Sequence, residues 1–198
     1  MTNIKVKKLH KDAITPTKAH ASDAGFDLYA LEDKIIEPGE TALIKTGLAF
    51  ELPDGYELQI RPRSGITLNT KLRVQLGTVD AGYVGEVGVI VDNINRDRNV
   101  VPDYYLSVDG GHVSAIEYFG AWNNFEKGSY LIRKGDRIAQ AIIQRLPDVE
   151  LIEVESLEES ERGEGGFGST GVSSGKTWKE AFDGMVEQAK KLRKDVDV

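Results

Sequence analysis

Residues 35–61 read IIEPGETALIKTGLAFELPDGYELQIR, and their pattern of apolar, polar and turn residues decides the fold class. Within them, TALIKTGLAFEL (41–52) and YELQIR (56–61) alternate apolar and polar side chains, the period of a strand with one buried face. Pro38-Gly39 and Pro53-Asp54-Gly55 separate these stretches, and such residues mark turns. The segment therefore predicts short β-strands joined by tight turns.

The same pattern continues toward the C-terminus. Residues 85–91, GEVGVIV, have the composition of a buried strand, and Asp80-Ala81-Gly82 before them is a turn signal. Residues 130–146 contain a further β segment that Lys134-Gly135-Asp136 divides in two. Many short strands at regular spacing are typical of a sandwich or barrel, so we predict an all-β protein.

Residues 92–127 form an aromatic-rich segment that differs from the rest of the chain, and we call it the insert. Asp109-Gly110-Gly111 predicts a hairpin turn between YYLSV and HVSAIEYF. Its aromatic residues have two interpretations: they form the core of a small β-rich lobe, or some of them form an exposed partner-binding surface. The aromatic residues are Tyr104, Tyr105, Tyr118, Phe119, Trp122 and Phe125.

Residues 148–171 predict a flexible C-terminal arm. Residues 148–164 carry eight acidic side chains and one arginine, and such a charge run is usually solvated. They lead into RGEGGFGSTG (162–171), whose glycines and hydroxyls are able to wrap an anion. An inert glycine-rich linker is the alternative interpretation of this stretch.

Residues 172–198 predict a helical extension. An apolar stripe with helical spacing begins at Trp178, and Thr177 with Glu180 forms a capping-box pattern before it. We interpret it as a docking helix. The stripe contains Trp178, Ala181, Phe182, Met185, Ala189 and Leu192.

Composition excludes several functional classes. The net charge of −7 and pI of about 5.1 argue against a nucleic-acid ligand. No apolar run is long enough to span a bilayer, and the chain has no cysteine, which fits a cytoplasmic protein. With only three histidines, far apart in sequence, a His-built zinc centre or a Ser-His-Asp triad is not expected. The chemistry is expected to come from carboxylates, arginines, hydroxyls and glycine backbone.

Five short motifs occur in a fixed order. They are AGFDLYA (24–30), RPRSG (61–65), GTVDAGYVGEV (77–87), KGDRIAQ (134–140) and RGEGGFGSTG (162–171). Together they resemble the five ordered motifs of the trimeric dUTPases. Taken singly, each has an ordinary explanation: Asp80 as a turn-forming residue, Arg63 as a surface charge, Tyr83 as partial core.

The resemblance implies a jelly-roll-like barrel that forms a threefold homotrimer with active sites between subunits. It implies hydrolysis of dUTP to dUMP and pyrophosphate with Mg²⁺, in the cytoplasm, or in the host cytoplasm if a phage encodes the chain. It also implies that residues 1–171 form the dUTPase domain, with the insert 92–127 and the arm 148–171 inside it. Residues 172–198 are then a helical extension.

The same resemblance assigns four catalytic residues. Asp80 is the expected general base that activates the attacking water, and Gln140 holds that water. Arg63 and Ser64 contact the phosphate chain, with Ser64 near the oxygen that bridges the α- and β-phosphates. Asp27 contacts the metal through water, while the substrate phosphates hold Mg²⁺ itself.

Further residues are assigned to substrate binding. Tyr83 packs on the deoxyribose and leaves no room for a 2′-hydroxyl, Arg162 meets the γ-phosphate, and Phe167 stacks on uracil. Many relatives have an asparagine where this chain has Val74, so backbone groups of residues 76–79 are expected to read the uracil edge. The full substrate-binding set is Gly65, Gly77, Val79, Tyr83, Arg162, Phe167, Gly168, Ser169 and Thr170.

Two alternatives accompany this assignment. A dCTP deaminase, or a bifunctional deaminase-dUTPase, shares the fold, but those relatives generally lack the RGEGGFGSTG arm present here. The insert resembles those of certain bacteriophage dUTPases of Gram-positive hosts, some of which bind repressors of mobile genetic elements. A transcriptional repressor that binds residues 92–127 is therefore a hypothesis for a second activity.

Overall fold

The computed structural model describes residues 2–96, 104–120 and 126–164, together with residues 182, 186 and 187. In these parts of the chain, twelve strands and two short helices form an all-β fold, which confirms the predicted class. The strands are β1 (Lys5–Lys8), β2 (Phe26–Tyr29), β3 (Lys34–Ile36), β4 (Thr41–Glu51), β5 (Tyr56–Arg61), β6 (Leu72–Val74), β7 (Gly77–Asp80), β8 (Val87–Asn93), β9 (Tyr104–Ser107), β10 (His112–Ser114), β11 (Tyr130–Ile132) and β12 (Arg137–Arg145). The helices are α1 (Ser64–Asn69) and α2 (Ala115–Phe119).

The strands form three four-stranded sheets. Their orders are β1-β4-β8-β6, β2-β12-β5-β7 and β10-β9-β11-β3. Apart from the parallel pair β9–β11, the neighbours are antiparallel. Their buried faces enclose one main apolar core, which includes Leu28, Ile44, Leu48, Leu58, Val89 and Ile138. The architecture is a jelly-roll-like barrel.

Strand β4 is an example of how sequence pattern becomes burial. Its first half alternates exposed and buried residues, as the apolar–polar alternation predicts. Its pairing with β8 shifts register between Lys45 and Leu48, where Gly47 has a left-handed φ of 69°. A glycine adopts this backbone readily, so Gly47 allows the bulge that bends the strand.

The insert departs from the prediction in one respect. The predicted hairpin is confirmed, because β9 and β10 pair around Asp109-Gly110-Gly111. However, the segment after β10 turns into helix α2, which the sequence interpretation did not include. Ser114 caps this helix by accepting a hydrogen bond from the N–H of Glu117, and Gly120 ends it with a φ of 70°.

Contacts with the barrel fix the described part of the insert. Strand β9 pairs with β11, so the hairpin extends a barrel sheet. Tyr105, Ala115 and Leu131 form a separate small core. At the base of the insert, the side-chain amide of Asn93 donates to the carbonyl of Gly128 (3.0 Å), and its oxygen accepts the N–H of Asn95 (2.9 Å).

The chain divides into two compact units, residues 1–149 and residues 150–198. In the second unit, residues 150–164 are exposed and carry a turn in which the N–H of Gly163 donates to the carbonyl of Ser160 at 2.9 Å. Most of the predicted C-terminal helix lies outside the described residues, although Phe182, Val186 and Glu187 are helical. Among the residues described, no helix has the length and apolarity to cross a bilayer.

Candidate active site

One row of side chains crosses the sheet β2-β12-β5-β7. Asp27, Gln140 and Arg61 are direct cross-strand partners on β2, β12 and β5. Paired residues of antiparallel strands project from the same face, so these three side chains share the face opposite the core. Two of the predicted site residues, Asp27 and Gln140, are thus neighbours.

Arg63 joins this row through Asp27. Its backbone precedes α1 in an extended conformation, and its Nε lies 3.1 Å from Oδ1 of Asp27. Nη1 of Arg137 lies 3.5 Å from Oδ2 of the same carboxylate, and Arg63 also donates to the carbonyl of Arg137 at 3.2 Å. Two guanidinium groups around one carboxylate leave a local excess of positive charge, as an anionic substrate requires.

Ser64 and Gly65 are the first residues of α1 and are exposed next to Arg63. On the other side of the row, Gly25 leaves room for Gln140. A Cβ at position 25 would lie 2.7 Å from Oε1 of Gln140, far inside normal contact distance. The first group of predicted residues therefore comprises Asp27, Arg63, Ser64, Gly65 and Gln140.

The second group surrounds a separate cleft of about 270 Å³. Asp80 ends β7 and is exposed, and its carbonyl accepts the N–H of Tyr83 at 3.0 Å, which closes a tight turn. Gly77, Val79, Asp80 and Tyr83 all line this cleft, together with Glu86 and Ile90. This volume lies near the lower end of the usual range for ligand pockets, about 300 Å³.

Backbone groups are available for recognition of a base in this cleft. Val74 is buried in β6 and the side chain of Val79 is buried in the core, so neither side chain can contact a base. Strand β7 is the edge of its sheet, and an edge strand has backbone N–H and C=O groups without a partner strand. A uracil edge is able to pair with such groups.

Tyr83 has a defined position beside the cleft. Its hydroxyl donates to the carbonyl of Glu86 at 2.9 Å. The carboxylate of Glu86 in turn accepts the N–H of Gly47, also at 2.9 Å, at the bulge of β4. Tyr83 is therefore connected to the barrel through Asp80, which precedes it, and through Glu86, which follows it.

Gln140 of the first group and Asp80 of the second lie far apart within one chain. Gln140 pairs with Arg61, whereas Asp80 pairs with Glu57, four residues earlier on β5 and on its other side. From strand rise and strand spacing, the Cα atoms of Gln140 and Asp80 are about 16 Å apart. Their side chains cannot hold the same water molecule at that separation.

A hydrogen-bonded ladder along β5 connects the two groups. Arg61 Nε donates to Gln59 Oε1 at 2.9 Å, and Gln59 donates to the carboxylate of Glu57. Glu57 is 9% exposed and lies directly opposite Asp80. Gln59 therefore gives the buried carboxylate of Glu57 a hydrogen-bond donor and links it to Arg61.

The side chains near Asp27 fit a metal that is bound mainly by the substrate. Among the described residues, no cluster of three or more His, Cys, Asp or Glu side chains is able to hold an ion. The side chain of Asp27 is 12% exposed and is in contact with both arginines. Such a site fits Mg²⁺ that is bound by phosphates and reaches the protein through water, and does not fit an all-protein cage.

The predicted residues of the arm are only partly described. Arg162 is exposed, in the turn at 161–164, whereas Phe167, Gly168, Ser169 and Thr170 lie outside the described residues. Sequence reasoning missed Arg137 and Gly25, although both belong to the quoted motifs. Both could have been found from their closeness in sequence to predicted site residues. Arg137 lies three residues before Gln140, and Gly25 lies two residues before Asp27.

Comparison with known sequences identifies close similarities. The sequence model of the dUTPase family matches residues 11–104 and 120–171. A deoxyuridine 5′-triphosphate nucleotidohydrolase of Clostridioides difficile is 42% identical over 173 residues, which cover 86% of this chain and 99% of that protein. The unmatched residues between the two stretches lie within the insert.

Solved structures give the same result. The dUTPase of Staphylococcus bacteriophage 80alpha with dUPNHPP is 38% identical with a TM-score of 0.79, over 87% of this chain and 100% of that one. It is described among phage dUTPases that control transfer of virulence genes. The dUTPase of phage phi11 of S. aureus is 31% identical with a TM-score of 0.72, over 80% and 100%. One phi11 structure is described by its species-specific insert, and another, of a mutant, by a structural Mg(II) ion.

Proposed function

The chain belongs to the dUTPase family and is a dUTP diphosphatase, and we propose that its active site forms between two subunits of a homotrimer. The separation of Asp80 from Gln140 carries this proposal. Both are assigned to one attacking water, yet about 16 Å of β-sheet lies between them in one chain. A symmetric trimer resolves the conflict by bringing the Asp80 cleft of one subunit to the Gln140 row of its neighbour.

Hydrolysis then proceeds in one displacement. Asp80 takes a proton from the water, whose oxygen forms a bond to the α-phosphorus while the bond to the α–β bridging oxygen breaks. Pyrophosphate leaves and dUMP remains. Gln140 orients the water, and Ser64 lies near the leaving oxygen. Arg63 and Arg162 bind the phosphate chain and offset its charge, which grows on the leaving group.

The remaining residues set specificity and support the metal. Gly77, Val79 and their neighbours on β7 offer backbone groups to uracil, Tyr83 excludes a 2′-hydroxyl, and Phe167 covers the base. Gly65, Gly168, Ser169 and Thr170 contribute backbone and hydroxyl donors to the phosphates. Asp27 would hold Mg²⁺ through water, and the ion would supply charge neutralisation of the phosphates. Because dUTP is an intracellular nucleotide, we assign the activity to the cytoplasm.

Subunit complementation tests the shared site. Asp80→Asn and Gln140→Ala chains are each expected to be nearly inactive. When the two chains are co-expressed in equal amounts, random trimers should recover about a quarter of wild-type activity, because one site in four receives both intact residues. Mixed trimers that are as inactive as their parents, or a monomeric wild-type chain, would contradict a site between subunits.

A parallel product assay tests the reaction itself. Pyrophosphate release is measured from dUTP, UTP, dTTP and dCTP, with Mg²⁺ and with a chelator, and ammonia release is measured from dCTP. We expect release from dUTP alone, dependent on Mg²⁺, and no ammonia. Ammonia from dCTP would instead support a deaminase of the same fold.

A second proposed activity is the binding of a transcriptional repressor through the insert 92–127. Supporting it, Ile116, Tyr118 and Phe119 of α2 are 40%, 39% and 38% exposed, so the helix presents apolar surface to a partner. The family model does not match residues between 104 and 120, which fits a partner specific to a subgroup. The dUTPase of Staphylococcus bacteriophage 80alpha, to which this chain is similar, is described among phage dUTPases that control transfer of virulence genes.

A further inference from the structure

We propose that Gly85 is a specificity-determining position, because its missing side chain leaves the space in which the ring of Tyr83 lies. The inference rests on the proposed role of Tyr83 in excluding a 2′-hydroxyl. It adds a second residue to that discrimination, one that touches no substrate and acts by positioning the tyrosine.

The distances leave no room for a side chain. A Cβ built on Gly85 would lie 2.6 Å from the hydroxyl oxygen of Tyr83, 2.7 Å from its Cζ and 3.0 Å from its Cε2. Carbon atoms in favourable contact are about 3.5–4.0 Å apart. Any residue other than glycine at position 85 therefore displaces the ring of Tyr83 by about 1 Å.

The backbone itself does not require glycine here. The described glycines with a left-handed φ include Gly47, Gly55 and Gly135, but Gly85 is not one of them. An alanine could adopt the local conformation of residue 85 without strain. The requirement for glycine is consequently steric, and Tyr83 is its cause.

The position of the ring matters because it is tied to the catalytic turn. The N–H of Tyr83 donates to the carbonyl of Asp80 at 3.0 Å, and its hydroxyl donates to the carbonyl of Glu86 at 2.9 Å. Gly85 lies under the ring, between these two anchors. The absence of a side chain there sets how closely the phenol lies over its turn and how far it projects into the cleft.

Substitution should move the ring and leave the barrel intact. The atoms that meet the new methyl group belong to the outer end of a side chain, not to backbone. Tyr83 is also half exposed, so its ring is able to rotate into solvent at small cost. A loss of specificity with nearly unchanged stability is the signature of this arrangement.

Gly82 provides a matched control in the same turn. Apart from its chain neighbours, no described residue has a heavy atom within 4 Å of a Cβ built there, and its φ is not left-handed. Gly82→Ala therefore adds the same methyl group three residues away, where no residue beyond its own chain neighbours comes into contact with it. It separates an effect on the ring from a general stiffening of the loop.

The test compares full-length wild-type protein with Gly85→Ala, Gly82→Ala and Tyr83→Ala. The measured quantity is the ratio of kcat/KM for dUTP to that for UTP, with the Tm of each variant. We expect Gly85→Ala to lower the ratio at least about tenfold, the scale of a lost steric contact in a specificity pocket. Gly82→Ala should keep the wild-type ratio.

The failures are distinguishable. If Tyr83→Ala loses discrimination while Gly85→Ala keeps it, the inference is overturned and the role of Tyr83 stands. If Tyr83→Ala itself keeps discrimination, the proposed role of Tyr83 fails and the inference with it. If Gly85→Ala folds poorly, the double variant Gly85→Ala/Tyr83→Ala decides: restored stability supports a clash with the ring, and unrestored stability overturns it.

Discussion

Asp27 is bound to Arg63 through a contact of 3.1 Å between carboxylate Oδ1 and guanidinium Nε. The aspartate is 12% exposed and the arginine 30%, so water screens this pair only in part. Arg137 approaches the other carboxylate oxygen. Besides its proposed contact with the metal, Asp27 therefore orients the cationic side chains, of which Arg63 is proposed to bind the triphosphate.

Asp27→Asn should lower kcat/KM for dUTP by about 10²-fold, because a misplaced phosphate-binding arginine loses that much on a 1 Å displacement. Steady-state kinetics at saturating Mg²⁺ measure this effect, and a Mg²⁺ titration separates it from weaker metal use. Lys34→Gln is the control. It removes the exposed ion pair between Lys34 of β3 and Glu40, and it should leave kcat/KM unchanged. Unchanged kinetics of Asp27→Asn would remove this residue from the site.

Asp80→Asn should leave a folded trimer that still binds dUTP but turns it over at least about 10²-fold more slowly. The amide keeps the shape of the side chain and cannot accept the proton of the water. Binding of a non-hydrolysable dUTP analogue serves as the control for an intact site. Near-normal turnover would show that another group is the base.

Truncation after Glu161 should depress dUTP hydrolysis without unfolding the barrel. It removes Arg162 and the proposed stacking residue Phe167, together with the glycine-rich donors. The compact unit 1–149 retains every strand described, so its Tm should stay within a few degrees of the wild-type value. A barrel that unfolds on truncation would contradict the assignment of residues 148–171 as an arm.

Deletion of residues 95–125 should spare dUTP hydrolysis and weaken repressor binding, although it also uncovers Leu131, which is fully buried. Ile116→Asp is a milder test because the side chain is exposed on α2. It should weaken binding at least about tenfold, as for an anchor residue worth more than 1.4 kcal/mol. Leu9→Asp, at an exposed apolar residue of the barrel, is the control. If neither change in the insert alters repressor affinity, this surface is excluded as the repressor-binding site.

The hairpin turn of the insert should respond to acid through Asp109. The hydroxyl of Ser107 and the N–H of Gly111 lower the pKa of Asp109 below its usual value. A lowered carboxyl pKa stabilises the folded state above the unfolded pKa of about 3.9, and this contribution is lost as pH falls through the folded pKa.

Asp109→Asn should therefore cost at most about 1 kcal/mol near neutral pH, since the group is exposed. That corresponds to a Tm lower by up to about 2–4 °C. The difference from wild type should start to shrink as the pH falls below about 3.9 and should vanish below the lower folded pKa of Asp109, where both chains carry an uncharged group at this position. A difference that is constant from pH 7 to pH 3 would mean that charge plays no part.

Local pattern was enough to predict most strands, since alternation and turn residues are properties of neighbouring positions. The prediction of short strands held for β3 through β8 and for the hairpin at Asp109, but helix α1 (Ser64–Asn69) lies between β5 and β6 and was not predicted. Helix α2 was missed although Ser114 and Glu117 form the capping pattern of its first turn. Because the helix has only five residues, no helical period is visible in it, and its aromatic residues are also common in strands.

The site could be predicted only as a set of residues. Asp80 and Gln140 lie on opposite sides of β5, and their partners on that strand are four residues apart. This arrangement depends on the pairing register of strands that are distant in sequence. Motif order does not encode it. Contacts between motifs, such as Arg137 with Asp27, and the space under Tyr83 likewise depend on tertiary packing.

The amide of Asn93 holds both ends of the insert within reach of one side chain, at Asn95 and Gly128. A loop whose ends are already adjacent can grow at small entropic cost, since doubling its length adds only about 0.6 kcal/mol. Related proteins can therefore lengthen, replace or lose this segment during evolution as their partners change, while the barrel that carries the active site stays the same.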